Sequence, residues 1–426
     1  MDYLKKIHLI LLILIPFALI TGPFFPDFIV VISSIFFLIF IFIEKQFFYL
    51  RNKFFLFFIT WCIYLIIRSL LSENILLSLE SSLFHFRFGI FALSIWYALN
   101  NYQNFPKLFF FSLITAFIIV ILDGYLQYFT NYNIIGFKYD GLRLTGLFGS
   151  EQIMGSYLSR MTPILFALLA LLKFNNKVSF LVIIFVLTSV DILVFLSGER
   201  AAFFYVLMST ILIITLVRNW KFIRIFTFCL SLIAITYITY SSESVKFRMI
   251  DQTVKQLNIQ NNNNSSSSSK INTFSPQHEA IYVTSLILFK ENILFGIGPK
   301  MFREKCSTAI SSETLRENYK NQDVNMKTIN NCSTHPHNTY LQLLVETGIV
   351  GTLPLIILSL LVAYLLVKHF TGIIFKRKYL YSDYTICMFA GLCITLWPLI
   401  PTGSFFNNWL NVIYFLPIGF LLYRKT

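Results

Sequence analysis

The sequence predicts an all-α, polytopic membrane protein with about twelve transmembrane helices and one large polar loop. Of its 426 residues, 56% are hydrophobic and only 13% are charged, and the mean hydropathy is +0.70. A soluble core of this length could not bury so much apolar surface, whereas each helix that crosses a bilayer needs about 20 apolar residues. The apolar residues fall in uninterrupted stretches, which we expect to be the crossing helices.

Twelve such stretches follow one another along the chain. We expect spans at roughly 7–21, 24–43, 54–71, 82–99, 106–127, 152–172, 178–196, 201–217, 220–240, 337–367, 383–401 and 408–423. The first stretch resembles a signal peptide, but the segment LITGPFFPDF lacks an A-x-A-like cleavage site, so we expect a retained span. The first two spans are short enough to form a re-entrant pair.

The distribution of lysine and arginine orients the expected helices. With both termini inside, seventeen cations fall in cytoplasmic segments: Lys5, Lys6, Lys45, Arg51, Lys53, Lys107, Lys173, Lys177, Arg218, Lys221, Arg224, Lys368, Lys376, Arg377, Lys378, Arg424 and Lys425. The short opposite loops contain only Lys138, Arg143 and Arg200. The net charge of +14 therefore reflects topology and attraction to membrane lipids, and we expect no nucleic-acid partner.

We expect three parts: helices one to nine in 1–240, a periplasmic loop domain in 241–336, and helices ten to twelve in 337–426. Within the loop, QNNNNSSSSSK is a low-complexity polar tract that we expect to be disordered. The segment PQHEAIYVTSLILFKENILFGIGPKMF predicts an amphipathic helix followed by a Gly-Pro turn. Cys306 and Cys332 also lie in this loop, where they either form a disulfide on an oxidising side of the membrane or remain free thiols.

Five arginines on the outer half of the expected bundle are candidates for an anion site. A cation within the membrane is costly unless it is paired or lines a polar cavity, and the planar guanidinium grips phosphate oxygens as lysine cannot. The five are Arg68, Arg87, Arg143, Arg160 and Arg200. Glycines beside Arg143 and Arg200 favour these two, because they permit close approach of a ligand. The alternatives are contacts with lipid headgroups and ion pairs with Glu151 or Glu199.

The stretch CSTHPHNTYLQLLVETGIVG places two histidines at the start of an apolar run. Pro336 disfavours helix before it, so we expect His337 at a helix N-terminus on the outer face. There the helix dipole disfavours imidazolium and leaves a neutral imidazole that can act as a general base; the alternative is a capping residue. His335 and His337 have no third metal ligand at a diagnostic spacing, and the sequence contains no D-x-D pair, so we expect no metal or other cofactor.

Glu346 follows in the same expected helix, about 13 Å below His337 at a rise of 1.5 Å per residue. A carboxylate at that depth needs a partner, for which we expect an intramembrane arginine such as Arg160. A structural role and a functional role for Glu346 are equally open.

At these residues the chain resembles the O-antigen ligase and polymerase superfamily of bacterial envelope glycan assembly. The segment from His337 to Thr352 looks like the histidine-glycine signature of that superfamily. In it, His337-Asn338 is followed after nine residues by Gly348 and after two more by Gly351-Thr352. NILFGIGPKMF resembles the segment that usually precedes the signature. RLTGLFGSEQIMGSYL and LSGERAAFF are similar to its two upstream arginine motifs.

The resemblance implies a GT-C-like, metal-independent, inverting glycosyltransferase in the bacterial inner membrane, with its active site facing the periplasm. Its donor would be a glycan linked to undecaprenyl diphosphate, and His337 would activate the acceptor hydroxyl. Arg143 and Arg200, with Arg87 or Arg160, would bind the diphosphate. The residues expected to support them are His335, Asn338, Glu346, Gly348 and Gly351.

Four activities remain open, and we place the ligase first. A ligase transfers the glycan to lipid A-core, whereas a polymerase joins it to another glycan. The HPHN context and the large preceding loop favour the ligase. A protein O-oligosaccharyltransferase is less expected, because no soluble domain follows the twelfth span. A lipid-linked glycan flippase would need charges throughout the depth of the bundle.

Overall fold

The computed structural model describes residues 1–172, 177–256, 274–309 and 331–423. Within these ranges the structure is helical, and the only β pairing is an isolated bridge between Tyr132 and Lys138. The α-helices, in chain order, are α1 (Asp2–Ile13), α2 (Ile15–Ala18), α3 (Phe24–Ile43), α4 (Lys53–Leu70), α5 (Ile75–Ser82), α6 (Phe86–Asn101), α7 (Phe105–Thr130), α8 (Met154–Leu172), α9 (Lys177–Leu196), α10 (Arg200–Leu216), α11 (Lys221–Ser241), α12 (Glu243–Lys246), α13 (Gln252–Gln256), α14 (Pro276–Glu291), α15 (Phe302–Ala309), α16 (Thr339–Lys376), α17 (Asp383–Thr395) and α18 (Asn408–Leu422). Short 3-10 turns occupy Phe47–Tyr49 and Gly146–Phe148, and a π turn occupies Phe247–Asp251.

Eight segments of the described chain are long and apolar enough to cross a membrane. They are Phe24–Ile43, Lys53–Leu70, Ile75–Asn101, Phe105–Thr130, Met154–Leu172, Ser179–Leu196, Lys221–Ser241 and Thr339–Lys376. Three shorter apolar helices, α10, α17 and α18, accompany them. The predicted all-α, polytopic membrane fold is confirmed. The number of crossings, expected to be twelve, stays a prediction.

The first predicted span is not one continuous helix. Helix α1 begins at Asp2 and ends at Ile13, and α2 covers only Ile15–Ala18. Pro16 lies at the start of α2, where it lacks the N–H that would continue the α1 hydrogen bonds. The Asn/Ser tract predicted to be disordered, residues 260–270, lies outside the described residues.

Helix α16 is interrupted in its N-terminal part at Gly348, where φ is 65° and ψ is −172°. Residues 293–298 cross the helix at this break. Ile297 N–H donates to the Val345 carbonyl at 2.9 Å, and Gly298 N–H donates to the Glu346 carbonyl at 2.8 Å. Beyond the break, the N–H groups of residues 349 and 350 donate to the carbonyls of residues 293 and 294 at 3.0 and 3.2 Å. The crossing segment thus satisfies backbone groups that an interrupted membrane helix would otherwise leave unpaired.

Helix α4 holds this crossing from the opposite side. Trp61 Nε1 donates to the Gly351 carbonyl at 2.8 Å, and the Tyr64 hydroxyl donates to the Thr347 carbonyl at 2.6 Å. Arg68 donates to the Gly296 carbonyl through Nη2 at 2.7 Å. Arg68 therefore stabilises the loop crossing through backbone carbonyls, which is a structural role for one of the five outer arginines.

One of the seventeen predicted cytoplasmic cations is enclosed in the bundle. Arg224 is 1% exposed and forms a bidentate ion pair with Asp191, both N–O distances being 2.9 Å. Thr210 accepts from Arg224 Nε at 3.0 Å, and the Ser231 hydroxyl donates to Asp191 at 3.1 Å. Arg224 is thus a buried link between α9, α10 and α11, not a surface charge that reports topology.

Candidate functional site

His337 immediately precedes α16, at the place that the sequence predicts. Asn338 is the N-cap, and its Oδ1 accepts from the N–H groups of Tyr340 and Leu341 at 3.0 and 3.1 Å. Its Nδ2 donates to the Pro398 carbonyl at 2.7 Å. His337 itself has a left-handed backbone with φ 54°. Asn338 therefore fixes both the start of the helix and its contact with the loop before α18.

The His337 ring is half-buried between two other histidines. Its Nε2 forms a hydrogen bond with the Ser333 hydroxyl at 3.0 Å. The ring centroids of His335 and His278 lie 4.2 and 5.7 Å from that of His337. Burial lowers the pKa of His337 below its usual 6.5, so the ring is neutral at pH 7. We expected the helix dipole to have this effect, whereas the structure provides burial as the cause.

Both neighbouring rings are also neutral at pH 7. Burial, followed by the charge of His337 and that of Arg303, lowers the pKa of His335 to about 4. Burial lowers the pKa of His278, and His337 and Arg200 lower it further. Three imidazoles this close together cannot all be charged, so a proton taken up here is held by one ring at a time.

Three arginines act on one another electrostatically, and we call Arg143, Arg200 and Arg248 the arginine cluster; one of them, Arg200, also acts on His278. Burial, together with the charges of the other two arginines, lowers the pKa of Arg248 to about 10. Gly198, with φ 68°, allows them to approach: a Cβ there would lie 3.1 Å from Arg143 Cγ and 3.3 Å from Arg248 Cγ. The glycine of LSGERAAFF therefore makes room for two arginine side chains.

Each arginine of the cluster is also held by neutral polar groups. Arg143 Nη1 donates to Gln152, Arg248 Nη1 donates to Gln252 at 2.8 Å, and Arg200 Nη1 donates to Thr253 at 3.3 Å. Arg248 Nε additionally donates to the Gly198 carbonyl at 3.2 Å. All three side chains remain partly exposed, so the cluster has the charge and the accessibility to hold a polyanion.

A cavity of about 1240 Å³ adjoins the histidines. One wall is apolar and comes from membrane helices and the 3-10 turn; it includes Phe17, Ile119, Phe148 and Trp409. The lining also contains polar residues, which include Arg160, Glu199, Tyr205, Lys300, Arg303 and His335. A cavity lined by both apolar and cationic side chains suits an amphiphilic ligand that carries an anionic group.

Arg160 lies in the cavity wall, 3% exposed, but it does not pair with Glu346 as we predicted. Its Nη2 donates to the Tyr205 hydroxyl at 3.2 Å, and its Cζ lies 4.8 Å from the centroid of the Tyr205 ring. The Glu346 carboxylate instead accepts from Gln342 Nε2 at 3.1 Å and from the Phe302 N–H at 3.4 Å. That prediction was wrong because depth along a helix does not determine which face a side chain occupies.

Arg87 takes part in a structural ion pair instead of the predicted diphosphate contact. Its Nε and Nη2 lie 2.9 Å from Asp27 Oδ1, and Nη2 donates to Asn408 Oδ1 at 2.9 Å. The described residues that line the cavity do not include Arg87. The guanidinium thus ties α6 to α3 and α18.

The two signature glycines and the loop cysteines hold the backbone around the site. A Cβ on Gly348 would lie 2.2 Å from the Leu294 carbonyl oxygen, and one on Gly351 would lie 2.3 Å from Thr347 Oγ1. Cys306 and Cys332 form a disulfide, with their Cα atoms 5.1 Å apart. Because Ser333 follows Cys332 directly, the disulfide also anchors the hydroxyl that contacts His337.

Sequence reasoning missed Arg248, His278 and Ser333. The sequence draws attention to cations in or near apolar spans, where a charge is unexpected. Arg248, His278 and Ser333 lie in the polar loop, where charged and polar side chains are common. The signal available for His278 was its place at the start of the predicted amphipathic helix. Among the described residues, no group of three or more His, Cys, Asp or Glu side chains could hold a metal ion.

Fold and site together define a multi-pass membrane protein with a neutral histidine beside clustered arginines and an amphiphilic cavity. A family model described as O-antigen ligase matches residues 180–356, which contain Arg200, Arg248, His278 and the whole segment from His337 to Gly351. This match supports the assignment of the chain to the O-antigen ligase and polymerase superfamily, whose members are membrane glycosyltransferase-like enzymes. No curated protein matches the chain.

Proposed function

We propose that this protein is an O-antigen ligase that transfers a glycan from undecaprenyl diphosphate to lipid A-core at the periplasmic face of the inner membrane. The observation that carries the proposal is the neutral His337 ring, held by Ser333 and lying next to His278, on which Arg200 of the arginine cluster acts electrostatically. A base and an anion-binding group side by side are what glycosyl transfer from a diphosphate requires.

The reaction proceeds in one displacement. His337 takes the proton of the acceptor hydroxyl as that oxygen attacks the anomeric carbon of the donor sugar. The bond between the anomeric carbon and the diphosphate oxygen breaks, and undecaprenyl diphosphate leaves with the electron pair, so the configuration at the anomeric carbon is inverted. Arg143, Arg200 and Arg248 stabilise the departing diphosphate through charge-assisted hydrogen bonds. The proton remains on His337 until solvent accepts it.

The remaining parts of the chain support this assignment. The apolar wall of the cavity offers a surface to a lipid chain that enters from the membrane. The excess of cations in the segments expected on the other side of the membrane supports a cytoplasmic location for both termini, and with it our proposal that the long loop and His337 face the periplasm. We retain the division into 1–240, 241–336 and 337–426 as part of the proposal.

The test is complementation of a strain that lacks the gene, followed by gel analysis of lipopolysaccharide and of lipid-linked glycan. We expect His337→Ala to leave polymerised glycan on the undecaprenyl carrier. Accumulation of single repeats attached to core would instead identify a polymerase. Unchanged glycan in the variant, at wild-type protein level, would exclude His337 as the base.

A matched control is His369→Gln, at the far end of the same helix. His369 is fully buried and bonds to the Leu216 carbonyl and the Tyr381 N–H at 3.1 Å each, so it tests the loss of a buried imidazole outside the site. We expect this variant to retain transfer. Arg143→Lys, Arg200→Lys and Arg248→Lys test the diphosphate grip, because lysine keeps the charge and loses the planar fork. Full activity in all three would contradict that role.

A further inference from the structure

Arg160 is a buried cation whose hydrogen bonds are incomplete. Its Nε and Nη1 have no hydrogen-bond partner among the described residues, although the side chain is only 3% exposed. Tyr205 holds the guanidinium through Nη2 and through its ring face, and the Tyr414 hydroxyl also acts on it. A buried guanidinium with free donors is costly unless an anion completes its hydrogen bonds.

The nearby carboxylate of Glu199 is already engaged by backbone groups. One of its oxygens accepts from the Gly155 N–H at 2.7 Å and the other accepts from the Ser156 N–H at 3.1 Å. Both Arg143 and Arg160 act on this carboxyl group electrostatically, and burial raises the pKa of Glu199 to about 7. In its ionised form Glu199 reduces the positive potential around Arg160 without accepting from its guanidinium.

A ligand in the cavity would have access to Arg160 but not to the arginine cluster. Arg160, Arg303 and His335 line the cavity, whereas Arg143, Arg200 and Arg248 are absent from its described lining. The His335 Nε2 atom is buried and also has no partner among the described residues. The centroid of the His335 ring lies 4.2 Å from that of His337, so the cavity reaches the ring next to the base.

We propose that Arg160 forms a second oxyanion subsite, which binds a carboxylate or phosphate group carried by the acceptor glycan. This inference rests on the proposed function, since it assumes that His337 deprotonates an acceptor hydroxyl. The acceptor must bring that hydroxyl to His337, and the cavity is the space that joins His337, through His335, to Arg160.

Charge favours the acceptor over the donor as the source of this oxyanion. The arginine cluster already supplies three guanidinium groups for a diphosphate. Arg160 is a single cation with Glu199 beside it, which suits a group of lower charge than a diphosphate.

To test this proposal, we would measure KM for two acceptors with the protein in phosphatidylcholine nanodiscs. One acceptor carries an acidic group, and in the other that group is esterified. We expect Arg160→Gln to raise KM for the acidic acceptor about tenfold or more and to leave KM for the donor unchanged. With the neutral acceptor, wild type and variant are expected to be equal. An equal effect on both acceptors, or a raised donor KM, would overturn the proposal.

Arg160→Lys and Arg87→Gln serve as comparison variants. Lysine retains the charge and loses the planar donors, so we expect an intermediate KM for the acidic acceptor. Arg87→Gln removes a half-buried arginine of α6 that pairs outside the cavity, and any effect it has should not depend on the acid group. Acceptor selectivity lost equally in Arg87→Gln would show that the Arg160 effect is a general consequence of altered packing.

A measurement without turnover separates this inference from the proposed function. We expect glucuronate and glycerol phosphate to raise the thermal unfolding temperature of wild type and not that of Arg160→Gln. If this difference appears but no lipid-linked donor supports transfer, the proposed function fails and the subsite stands. Equal stabilisation of both proteins would overturn the subsite. If phosphatidylglycerol nanodiscs alone produce the Arg160-dependent stabilisation, the oxyanion belongs to a lipid headgroup and the acceptor assignment is wrong.

Discussion

Replacing Gly348 by alanine should separate the crossing of α16 and residues 293–298. The glycine has φ 65° and ψ −172°, a backbone region that only glycine occupies readily. The added Cβ would lie 2.2 Å from the Leu294 carbonyl oxygen, 2.3 Å from the Leu294 carbonyl carbon and 2.5 Å from the Phe295 nitrogen. All three are backbone atoms, so no side-chain rotation relieves the clash.

The magnitude follows from what the crossing contains. The strained backbone costs about 1–3 kcal/mol for a residue other than glycine. Separation of the two segments breaks the four backbone hydrogen bonds between residues 293–298 and residues 345–350, each worth about 1 kcal/mol. Separation therefore costs about 4 kcal/mol, whereas a crossing that persists must bear the backbone strain and three contacts of the added Cβ with backbone atoms at 2.2, 2.3 and 2.5 Å. We therefore expect local separation of the crossing and not a strained crossing that persists.

Amide hydrogen exchange of residues 293–298 measures this directly, together with transfer activity and thermal inactivation. We expect fast exchange and loss of activity in Gly348→Ala. Gly136→Ala is the matched control, because Gly136 has φ +96° and no described atom within 4 Å of the added Cβ. Gly136→Ala therefore introduces the backbone strain without a steric clash. We expect residues 293–298 of this variant to exchange their amide hydrogens at the wild-type rate. Protected amides and wild-type transfer in Gly348→Ala would refute the reasoning.

Three further predictions concern the base, the disulfide and the buried ion pair. Because burial lowers the pKa of His337, its neutral form persists into mildly acidic solution, so the acid limb of the kcat/KM profile should lie below pH 6.5; a limb above that value would contradict a buried base. Cys332→Ser removes the disulfide that anchors Ser333, so it should lower kcat and leave the donor KM unchanged. Loss of the disulfide should lower the free energy of unfolding by about 3 kcal/mol for a loop of this length. Reductant should reproduce the effect in wild type, and an unaffected kcat would contradict the prediction. Arg224→Met leaves Asp191 buried and unpaired and should lower thermal stability by about 3–5 kcal/mol; Arg224→Met with Asp191→Leu should restore most of it, and no recovery in the double variant would contradict a simple ion pair.

The positions of the helices could be predicted because the bilayer requires them to be both apolar and internally hydrogen-bonded. The span expected at 24–43 is the helix Phe24–Ile43, and the span expected at 106–127 is the helix Phe105–Thr130. The break at Gly348 could not be predicted in this way. A run of apolar residues specifies burial but not backbone dihedral angles, and the partner of the break lies fifty residues earlier in the chain.

The site was predictable where a residue contradicted its surroundings. His337 and Asn338 stand out because a proline and polar side chains precede an apolar run, and the structure places them at the start of α16. The pairing of Arg160 with Glu346 was wrong because rise per residue gives depth, whereas contact also needs the direction of each side chain around its helix. Arg248 was missed for a related reason: an arginine in a polar loop contradicts nothing until folding brings it to Gly198.

In the segment from His337 to Gly351, His337 is the proposed base, and the other residues of the signature hold its helix in place. From the cap at Asn338 to the break at Gly348 is ten residues, or about 15 Å of helix. At the upper end, the His337 carbonyl accepts from Thr402 N–H at 2.8 Å; at the lower end, residues 293–298 replace the interrupted hydrogen bonds. Between them Gln342 donates to Ser404 at 3.0 Å, which ties the half-helix to the loop before α18, and to Glu346 of the same helix at 3.1 Å. Because Lys300 and Arg303 follow residues 293–298 and line the cavity with Thr402, the spacing from His337 to Gly348 fixes the base relative to the cavity.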